Sequence, residues 1–430
     1  MSVLYRNDQI ATFPDSWYAA SVETPALRPT LTGHHRVDAC VIGAGYTGLS
    51  AARVMAAAGL SVIVLDAHRA GFGASGRNGG QVASGYNVPQ RKLARKLGAD
   101  TAKALWDLTE EAKADVAAQG PQIALQQGIA HGCYADGERA DAEEDAAFLQ
   151  AAYGYDKIST HDTAAFAEIV KSPLYRGGVL DMGGAHIHPL RYALILTQLA
   201  EAAGAVIYDQ SPVHHIAKGK VVEVRTDKGR VQADHVVLAT NGYHAGLDRA
   251  LATRIRPVNS FIIATEPLDA LASKVLSRPI AVEDSKHFVN YFRMSEDGRM
   301  LFGGRATGRT AFPEDIAGFL RPRMTGLFPQ LKDARIDYAW GGTLGMTLTR
   351  LPSITRIAPN IVSAGGYTGH GVALSGLCGK ILGEAVCGQA SRFDVLSQLP
   401  APAFPGGAVG GSLLLKTYLT FKSLREKLSS

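Results

Sequence analysis

Few residues in this chain could tie it down covalently or hold a metal. Four cysteines occur in 430 residues, Cys40, Cys133, Cys378 and Cys387, and no two stand in CxxC spacing. A disulfide scaffold and a cysteine zinc site are therefore excluded, and the cysteines read as small buried hydrophobes of a reducing compartment. No stretch approaches the roughly 20 apolar residues that span a bilayer. The segment Met1 to Trp17 carries Arg6, Asp8 and Asp15 and lacks the apolar centre of a secretory signal, so a cytoplasmic location is expected. One sign of charge barely prevails: 44 Lys and Arg against 39 Asp and Glu give +5, with no basic block, and no nucleic-acid partner is expected. Internal repeats and low-complexity tracts are also missing. Leu413 to Leu428 is apolar with Lys416, Lys422, Arg425 and Lys427 interspersed, and is expected as a terminal helix docked on its own protein rather than on a membrane surface.

The chain does have ample core-forming material. Hydrophobic residues make up 46% and charged residues 19% of the 430, enough for two ordinary domains. The clearest unit runs from Val37 to Asp66. Val37 to Ile42 reads as a buried strand, Gly43 to Gly48 as a tight glycine turn, Leu49 to Ala58 as an Ala-rich helix ended by Gly59, and Ser61 to Asp66 as a second buried strand. Such a β-α-β unit with short loops implies a parallel sheet and a right-handed crossover.

The turn spells Gly43-x-Gly45-x-x-Gly48, and Asp66 stands 18 positions after Gly48 (66 − 48), close to the spacing of a dinucleotide-binding fingerprint. Gly43 permits the turn, Gly45 lets a pyrophosphate approach the backbone, and Gly48 lets helix and strand pack closely. The helix N-terminus offers free N–H groups and positive partial charge to phosphates. Asp66 suits ribose hydroxyls and repels a 2′-phosphate. A bare GxGxxG is weak evidence; its strand, helix and acid make this one strong.

Further along, 90 to 170 reads as helical and charged (Ala102 to Ala118, Glu143 to Ala152). A helix starts at Pro189 and ends at Gly204, Ala205 to Tyr208 is a strand, and Asp227-Lys228-Gly229 is a hairpin turn between Val221 to Thr226 and Arg230 to Ala233. Val236 to Thr240 is another apolar strand. Asn259 to Thr265, Val289 to Arg293, Arg299 to Gly303 and Arg335 to Trp340 alternate as an antiparallel sheet. A last unit follows: strand Asn360 to Ala364, turn Gly365 to Gly371 and helix Val372 to Val386. The expected organisation is a discontinuous nucleotide-binding domain (1–88, 172–254 and 343–430) and a second domain (89–171 and 255–342).

Gly71-Phe72-Gly73-Ala74-Ser75-Gly76-Arg77-Asn78-Gly79-Gly80-Gln81 directly follows the second strand. With Gly43 to Gly48 and Gly366-Tyr367-Thr368-Gly369-His370-Gly371-Val372, it resembles the D-amino-acid-oxidase superfamily of FAD enzymes. Ser16 to Ser21, Gly183 to Pro189 and Phe404 to Gly407 make the likeness strongest to the γ-glutamylputrescine oxidase group. The resemblance covers nearly the whole chain. It implies a glutathione-reductase-like α/β Rossmann-type FAD domain with an α+β substrate domain built on an antiparallel sheet.

The resemblance also implies a set of FAD contacts: Gly43, Gly45, Tyr46, Thr47 and Gly48; Asp66 and Ala67; Gly73, Ala74, Ser75, Arg77, Asn78, Gly79, Gly80 and Gln81. Val213 matches the position whose backbone holds adenine, and Thr240, Asn241 and Gly242 the turn over the dinucleotide. Gly366 to Val372 would meet the flavin pyrimidine edge with a helix N-terminus, where negative charge builds on reduction. Ser75 would bond a phosphate and Gln81 would reach the isoalloxazine edge. No Ser-Gly-Cys attachment motif occurs, so noncovalent FAD is expected.

In such enzymes hydride leaves the carbon bearing a neutral amine, and the protein aligns and desolvates. Catalytic candidates are His370, Tyr291, Trp340 and Arg293, each of which also reads as ordinary packing. His186 and His188 stand two apart without a third ligand, so no metal is expected. Arg350 is a candidate carboxylate clamp. The sarcosine-oxidising branch places arginines after the first flavin loop and a lysine after the Gly-His-Gly turn; the matching positions are Gln81, Ser84 and Ala373, none able to pair with an α-carboxylate. Its lysine above the flavin matches Leu301. The implied reaction is oxidation of γ-glutamylputrescine or a similar polyamine-derived amine to an aldehyde, ammonia and hydrogen peroxide, with dioxygen as acceptor. Alternatives are an imino-acid dehydrogenase acting on pipecolate or proline and passing electrons to a quinone, and a flavin-binding protein without turnover. A nicotinamide–disulfide reductase is disfavoured by the single GxGxxG and the lack of CxxxxC.

Overall fold

The computed structural model describes residues 3–307, 309–407, 410, 411, 414, 415, 417 and 418. Two sheets organise them. The first has eight strands, with Ser353–Ala358, Ile361–Gly365, Gly229–Leu238, Gly33–Ile42, Val62–Leu65 and Val206–Tyr208 side by side. The pairings from Ile361–Gly365 across to Val206–Tyr208 are all parallel. Val213–Ala217 and Val222–Thr226 extend from Gly229–Leu238 as an antiparallel flap. The strand Val62–Leu65 is buried along its whole length, as its all-apolar sequence requires of a parallel strand covered on both faces.

Helices Tyr46–Ala57, Pro189–Ala202 and Leu374–Val386 cover one face with a core of Val41, Leu49, Met55, Val64, Leu196, Leu377 and Ile381. Tyr46–Ala57 and Leu374–Val386 touch through glycines. A Cβ added at Gly379 would lie 2.1 Å from the Thr47 carbonyl oxygen, and one at Gly383 would lie 2.9 Å from that of Ala51. That close seam brings both helix N-termini toward one end of the sheet.

The second sheet has nine strands, in the order Ile336–Met346, Arg256–Pro267, Arg299–Thr307, Tyr291–Met294, Ala281–Asp284, Gln126–Gly132, Gly178–His186 and Gln81–Val82, with Ile158–His161 alongside Gly178–His186. Helix Ile316–Leu327 packs on it over Phe261, Phe292, Phe302 and Phe328. A third apolar cluster, Trp17, Tyr18, Leu190, Ile262, Leu301 and Trp340, joins the two units.

Several expectations need correction. Gly178–His186 and Gln81–Val82, expected in the nucleotide unit, pair in the second sheet, and Ile336–Met346 runs past residue 342. The second sheet is not wholly antiparallel, because Ala281–Asp284 runs parallel to Gln126–Gly132. That pair stitches the helical stretch 89–171 onto the sheet. Arg230 to Ala233 and Val236 to Thr240 are one strand, Gly229–Leu238, whose outer half pairs with the start of Gly33–Ile42. The expected terminal helix Leu413 to Leu428 lies largely outside the described residues. Among the described residues no helix is long and apolar enough to cross a membrane, and no group of three or more acidic, His or Cys side chains is placed to hold a metal.

Candidate active site

One cavity of about 1180 Å³ runs from the C-terminal end of the parallel sheet to the inner face of the second sheet. At the sheet end, Gly43 turns at φ +102°, where a Cβ would meet the Ala239 carbonyl oxygen at 2.8 Å. Gly45 is the N-cap of Tyr46–Ala57 and has no side chain to fill the space before the helix. The first N–H groups of a helix have no acceptor inside it. Ser75 Oγ takes one of them, Tyr46 N–H at 3.0 Å, and its own hydrogen remains for a ligand. Asp66 clamps the turn from below: Oδ2 accepts the Ala44 N–H at 2.9 Å and Oδ1 that of His68 at 2.8 Å. Burial pushes its pKa up to about 6, against these two bonds. Each oxygen keeps a further lone pair toward the cavity. Thr240 Oγ1, buried in the lining, has no hydrogen-bond partner among the described residues.

The loop 71–81 is held rigidly. Asn78 donates to the carbonyls of Ala74 and Ser75 at 3.0 Å each and accepts Gly80 N–H at 2.8 Å. Arg77 bonds the Phe72 carbonyl at 2.8 Å, Asp8 at 2.7 Å and the Gly341 carbonyl at 3.2 Å, joining the N-terminal segment, the loop and the second sheet. Across the cavity, the Tyr367 and Thr47 hydroxyls are 2.7 Å apart, tying the 366–372 turn to the first helix. Val213, Asn241, Ala67, Gly73, Ala74, Tyr367, Thr368, Gly369, Gly371 and Val372 also line the cavity.

A family model described as FAD dependent oxidoreductase (DAO) matches residues 38–385. The chain belongs to the DAO family of FAD-dependent oxidoreductases. It is 37% identical over 417 residues to a probable oxidoreductase OrdL of Rhizobium meliloti (strain 1021), covering 96% of this chain and 97% of that one. It is 35% identical over 419 residues to the γ-glutamylputrescine oxidoreductase of Escherichia coli (strain K12), covering 96% and 98%. Glycine oxidase from Geobacillus kaustophilus shares the fold, with a TM-score of 0.69 at 20% identity over 82% of this chain and 95% of that one.

FAD fits this DAO cavity: the side-chain-free cradle at Gly45, the open helix N-terminus, the spare lone pairs of Asp66 and the orphan Thr240 hydroxyl are what a dinucleotide would satisfy. Four of the glycines named for FAD contact lie outside the lining and are close-packing points. A Cβ at Gly48, Gly80, Gly242 or Gly366 would fall 1.8, 2.2, 2.6 or 2.4 Å from the Gly43, Ile187 and Leu344 carbonyl oxygens and Thr347 Cγ2, respectively.

The four catalytic candidates separate into two pairs. Tyr291 and His370 line the cavity. The Tyr291 ring lies between Gly79 and Gly303, its hydroxyl 3.3 Å from Ser260 Oγ, and burial pushes its pKa up to about 12. His370 Nε2 is 3.2 Å from the Ser84 carbonyl oxygen; burial lowers its pKa, so the ring is neutral. Trp340 and Arg293 lie behind the first flavin loop, outside the lining. Trp340 Nε1 donates to the Arg77 carbonyl at 3.0 Å, and Arg293 donates to the carbonyls of Gly79 and Ile187 at 2.9 Å each. Each shares a strand face with a cavity-lining residue two positions away, Gly342 and Tyr291 respectively, but the loop 71–81 stands between these two side chains and the cavity. Leu301, matched to a lysine above the flavin, likewise packs among Trp17, Tyr18 and Leu190, while Gly304 of the same strand lines the cavity.

Trp340→Phe tests this placement. It should cost about 1 kcal/mol of stability through the lost bond to Arg77. Its KM values should stay at wild-type level for every substrate tested. Changes in KM that differ from substrate to substrate would put the indole back in the pocket.

His186 and His188 are neutral packing groups. His186 Nε2 is 3.1 Å from the Pro279 carbonyl, and His188 caps helix Pro189–Ala202 through Arg191 N–H at 3.2 Å; burial lowers their pKa values to about 3 and about 2.

The substrate side carries a feature that sequence inspection does not show. One face of helix Asp136–Tyr153, Glu138, Asp141, Ala142, Asp145, Ala146 and Leu149, lines the cavity at helical spacing. With Asp181, Glu283 and Asp284 this makes six carboxylates in the wall. Asp145 pairs with Arg91 at 2.8 Å and Glu283 with His131 at 3.5 Å; Asp284 and Glu138 are held by neutral donors. Asp141 has no partner among the described residues. The acids are scattered over three chain segments, and only the fold collects them.

Proposed function

We propose that the protein oxidises the carbon–nitrogen bond of a cationic amine whose reacting carbon bears no carboxylate, of which γ-glutamylputrescine is the model, giving an aldehyde and ammonia with dioxygen as the final acceptor. The carboxylate-rich wall carries this reading, because it favours a cation and repels an anion at the reacting end. The positions that anchor a carboxylate in the sarcosine branch support it. Gln81 Nε2 is spent on the Val282 carbonyl at 2.9 Å, Ser84 Oγ donates to Asp181 at 2.6 Å, and Ala373 is buried before helix Leu374–Val386. When bound, FAD supplies the two-electron acceptor. The chain's residues bind the amine, exclude water and hold its protons.

Arg350 favours a second reading. Its side chain lines the cavity without a partner among the described residues, on a backbone at φ +64°. A non-glycine residue there costs about 1–3 kcal/mol, which is the kind of strain kept at binding sites. An imino-acid dehydrogenase would use such a guanidinium on its substrate's carboxylate.

Paired substrates with and without an α-carboxylate separate the two. The uncarboxylated member should win in kcat/KM by ~10- to 150-fold, the worth of a charge-assisted bond of roughly 1.5–3 kcal/mol. A carboxylated winner whose advantage vanishes in Arg350→Ala would replace the amine reading with the imino-acid one.

A further inference from the structure

Behind Ser84 the cavity wall holds a closed set of hydrogen bonds. Asp181, in strand Gly178–His186, accepts the Tyr155 hydroxyl at 2.5 Å and Gly183 N–H at 2.8 Å on Oδ1, and the Ser84 hydroxyl at 2.6 Å on Oδ2. Lys113, buried on helix Ala99–Ala117, donates to Ser84 Oγ at 2.6 Å and to the Tyr155 hydroxyl at 3.1 Å, and pairs with Glu110 at 2.8 Å.

The count of hydrogens fixes every direction. An ammonium has three; Lys113 gives one to each of the two hydroxyls, and Glu110 stands beside it as an ion partner. Each hydroxyl has one; with its oxygen facing Lys113, it is left to donate to Asp181. A carboxylate offers about four lone-pair sites. Three are filled, and the open one is on Oδ2; Asp181 lines the cavity. Asp181 and Glu110 against Lys113 leave one net negative charge (−2 + 1). The other ionisable groups packed here are Lys157, against Gly183, and His370, on the Ser84 carbonyl.

An alkylamine with a pKa like that of lysine, about 10.4, is an ammonium at neutral pH, and its nitrogen lone pair is tied up in an N–H bond. That proton must leave before the adjacent carbon can be oxidised. We propose that Asp181 anchors the ammonium at the substrate's reacting end through the open lone pair of Oδ2 and takes its proton, with Lys113 as the positioning residue. An N–H bond of R–CH₂–NH₃⁺ breaks, its electron pair stays on nitrogen, and an O–H bond forms on Asp181. The products are R–CH₂–NH₂ and a neutral carboxyl, with nothing oxidised in this step. The inference rests on the amine reading.

The test uses FAD-loaded protein. In Asp181→Asn, kcat/KM for a primary amine at neutral pH should fall by about 10²–10⁴-fold, the range for a lost general base. The residual activity should climb with pH as free amine is supplied. Calorimetric binding of n-butylguanidinium, an unreactive cation, should weaken at least about tenfold, or 1.4 kcal/mol. Ser84→Ala and Lys113→Met keep the carboxylate if Asp181→Asn does not fold. Each removes support for its charge and should move the acid limb of the kcat/KM profile up by about one pH unit, a shift that a purely structural loss does not produce. An unmoved limb in both, or wild-type kcat/KM in Asp181→Asn, overturns the proposal. If wild-type protein oxidises no primary amine, the amine reading fails. The n-butylguanidinium measurement then judges the anchor separately, and undiminished binding in Asp181→Asn rejects it.

Discussion

Gly45→Val is expected to purify colourless, folded and without FAD. A Cβ at this position meets Ser75 Oγ at 2.8 Å and Ser75 Cβ at 3.8 Å, and no other atom within 4 Å. A serine hydroxyl can swing aside, so the polypeptide survives the change. The space in front of Gly45 is the approach of the pyrophosphate to the helix N-terminus, and an isopropyl group closes it. Binding free energy also leaves with the cofactor: at a free FAD concentration of 100 Kd it is about 2.7 kcal/mol. The flavin-to-protein absorbance ratio and thermal melts with and without added FAD measure both effects. The variant's melting temperature should no longer respond to FAD. Adding Ser75→Ala should not restore colour; if it did, the obstacle would be the serine and the phosphates would lie elsewhere.

Arg77→Met should be the most destabilising single change at the junction of the two units. The guanidinium and Asp8 are almost wholly buried, with side chains 1% and 7% exposed and 2.7 Å apart. Methionine fills much of the volume but strands the Asp8 carboxylate and two backbone carbonyls. Breaking a buried pair by removing one partner costs about 3–5 kcal/mol, chiefly from the charge left behind. Asp8→Asn in the same chain should recover a large part of that loss, because a neutral amide is cheaper to bury than an unpaired ion. Chemical denaturation of wild type, both single variants and the double variant measures the coupling. An additive cycle would mean that the pair contributes nothing beyond its two side chains.

The nucleotide-binding half was legible because its rules are local. Gly43, Gly45, Gly48 and Asp66 lie within one β-α-β unit, where turn, helix start and strand end are set by neighbours in sequence. The turn at Gly366 to Gly371 was readable for the same reason. The substrate half obeys distant partners. Gln126–Gly132, whose sequence Gln-Gln-Gly-Ile-Ala-His-Gly has little strand character, becomes a strand because Gly178–His186 and Ala281–Asp284 flank it. Trp340 and Arg293 were candidates because their strands could face the flavin ring, and which part of a strand face is screened depends on the loop 71–81 packed against it. Asp181 gave no signal, since its partners Ser84 and Tyr155 come from two other segments, and Lys113, which bonds both of them, from a third.

The bond between Thr47 and Tyr367 joins residues 320 positions apart, and the glycine seam beneath it lets two helices far apart in the chain touch backbone to backbone. This sets a timetable for the chain as it is made. At about 5–20 residues per second, the glycine turn waits roughly 16–64 s between its own synthesis and the arrival of Tyr367. During that interval the apolar face of the first helix has no Leu374–Val386 to cover it. A nascent chain in this state is a client for whatever shields hydrophobic surface in the cell, and the cofactor cannot be enclosed until the last of these helices is out.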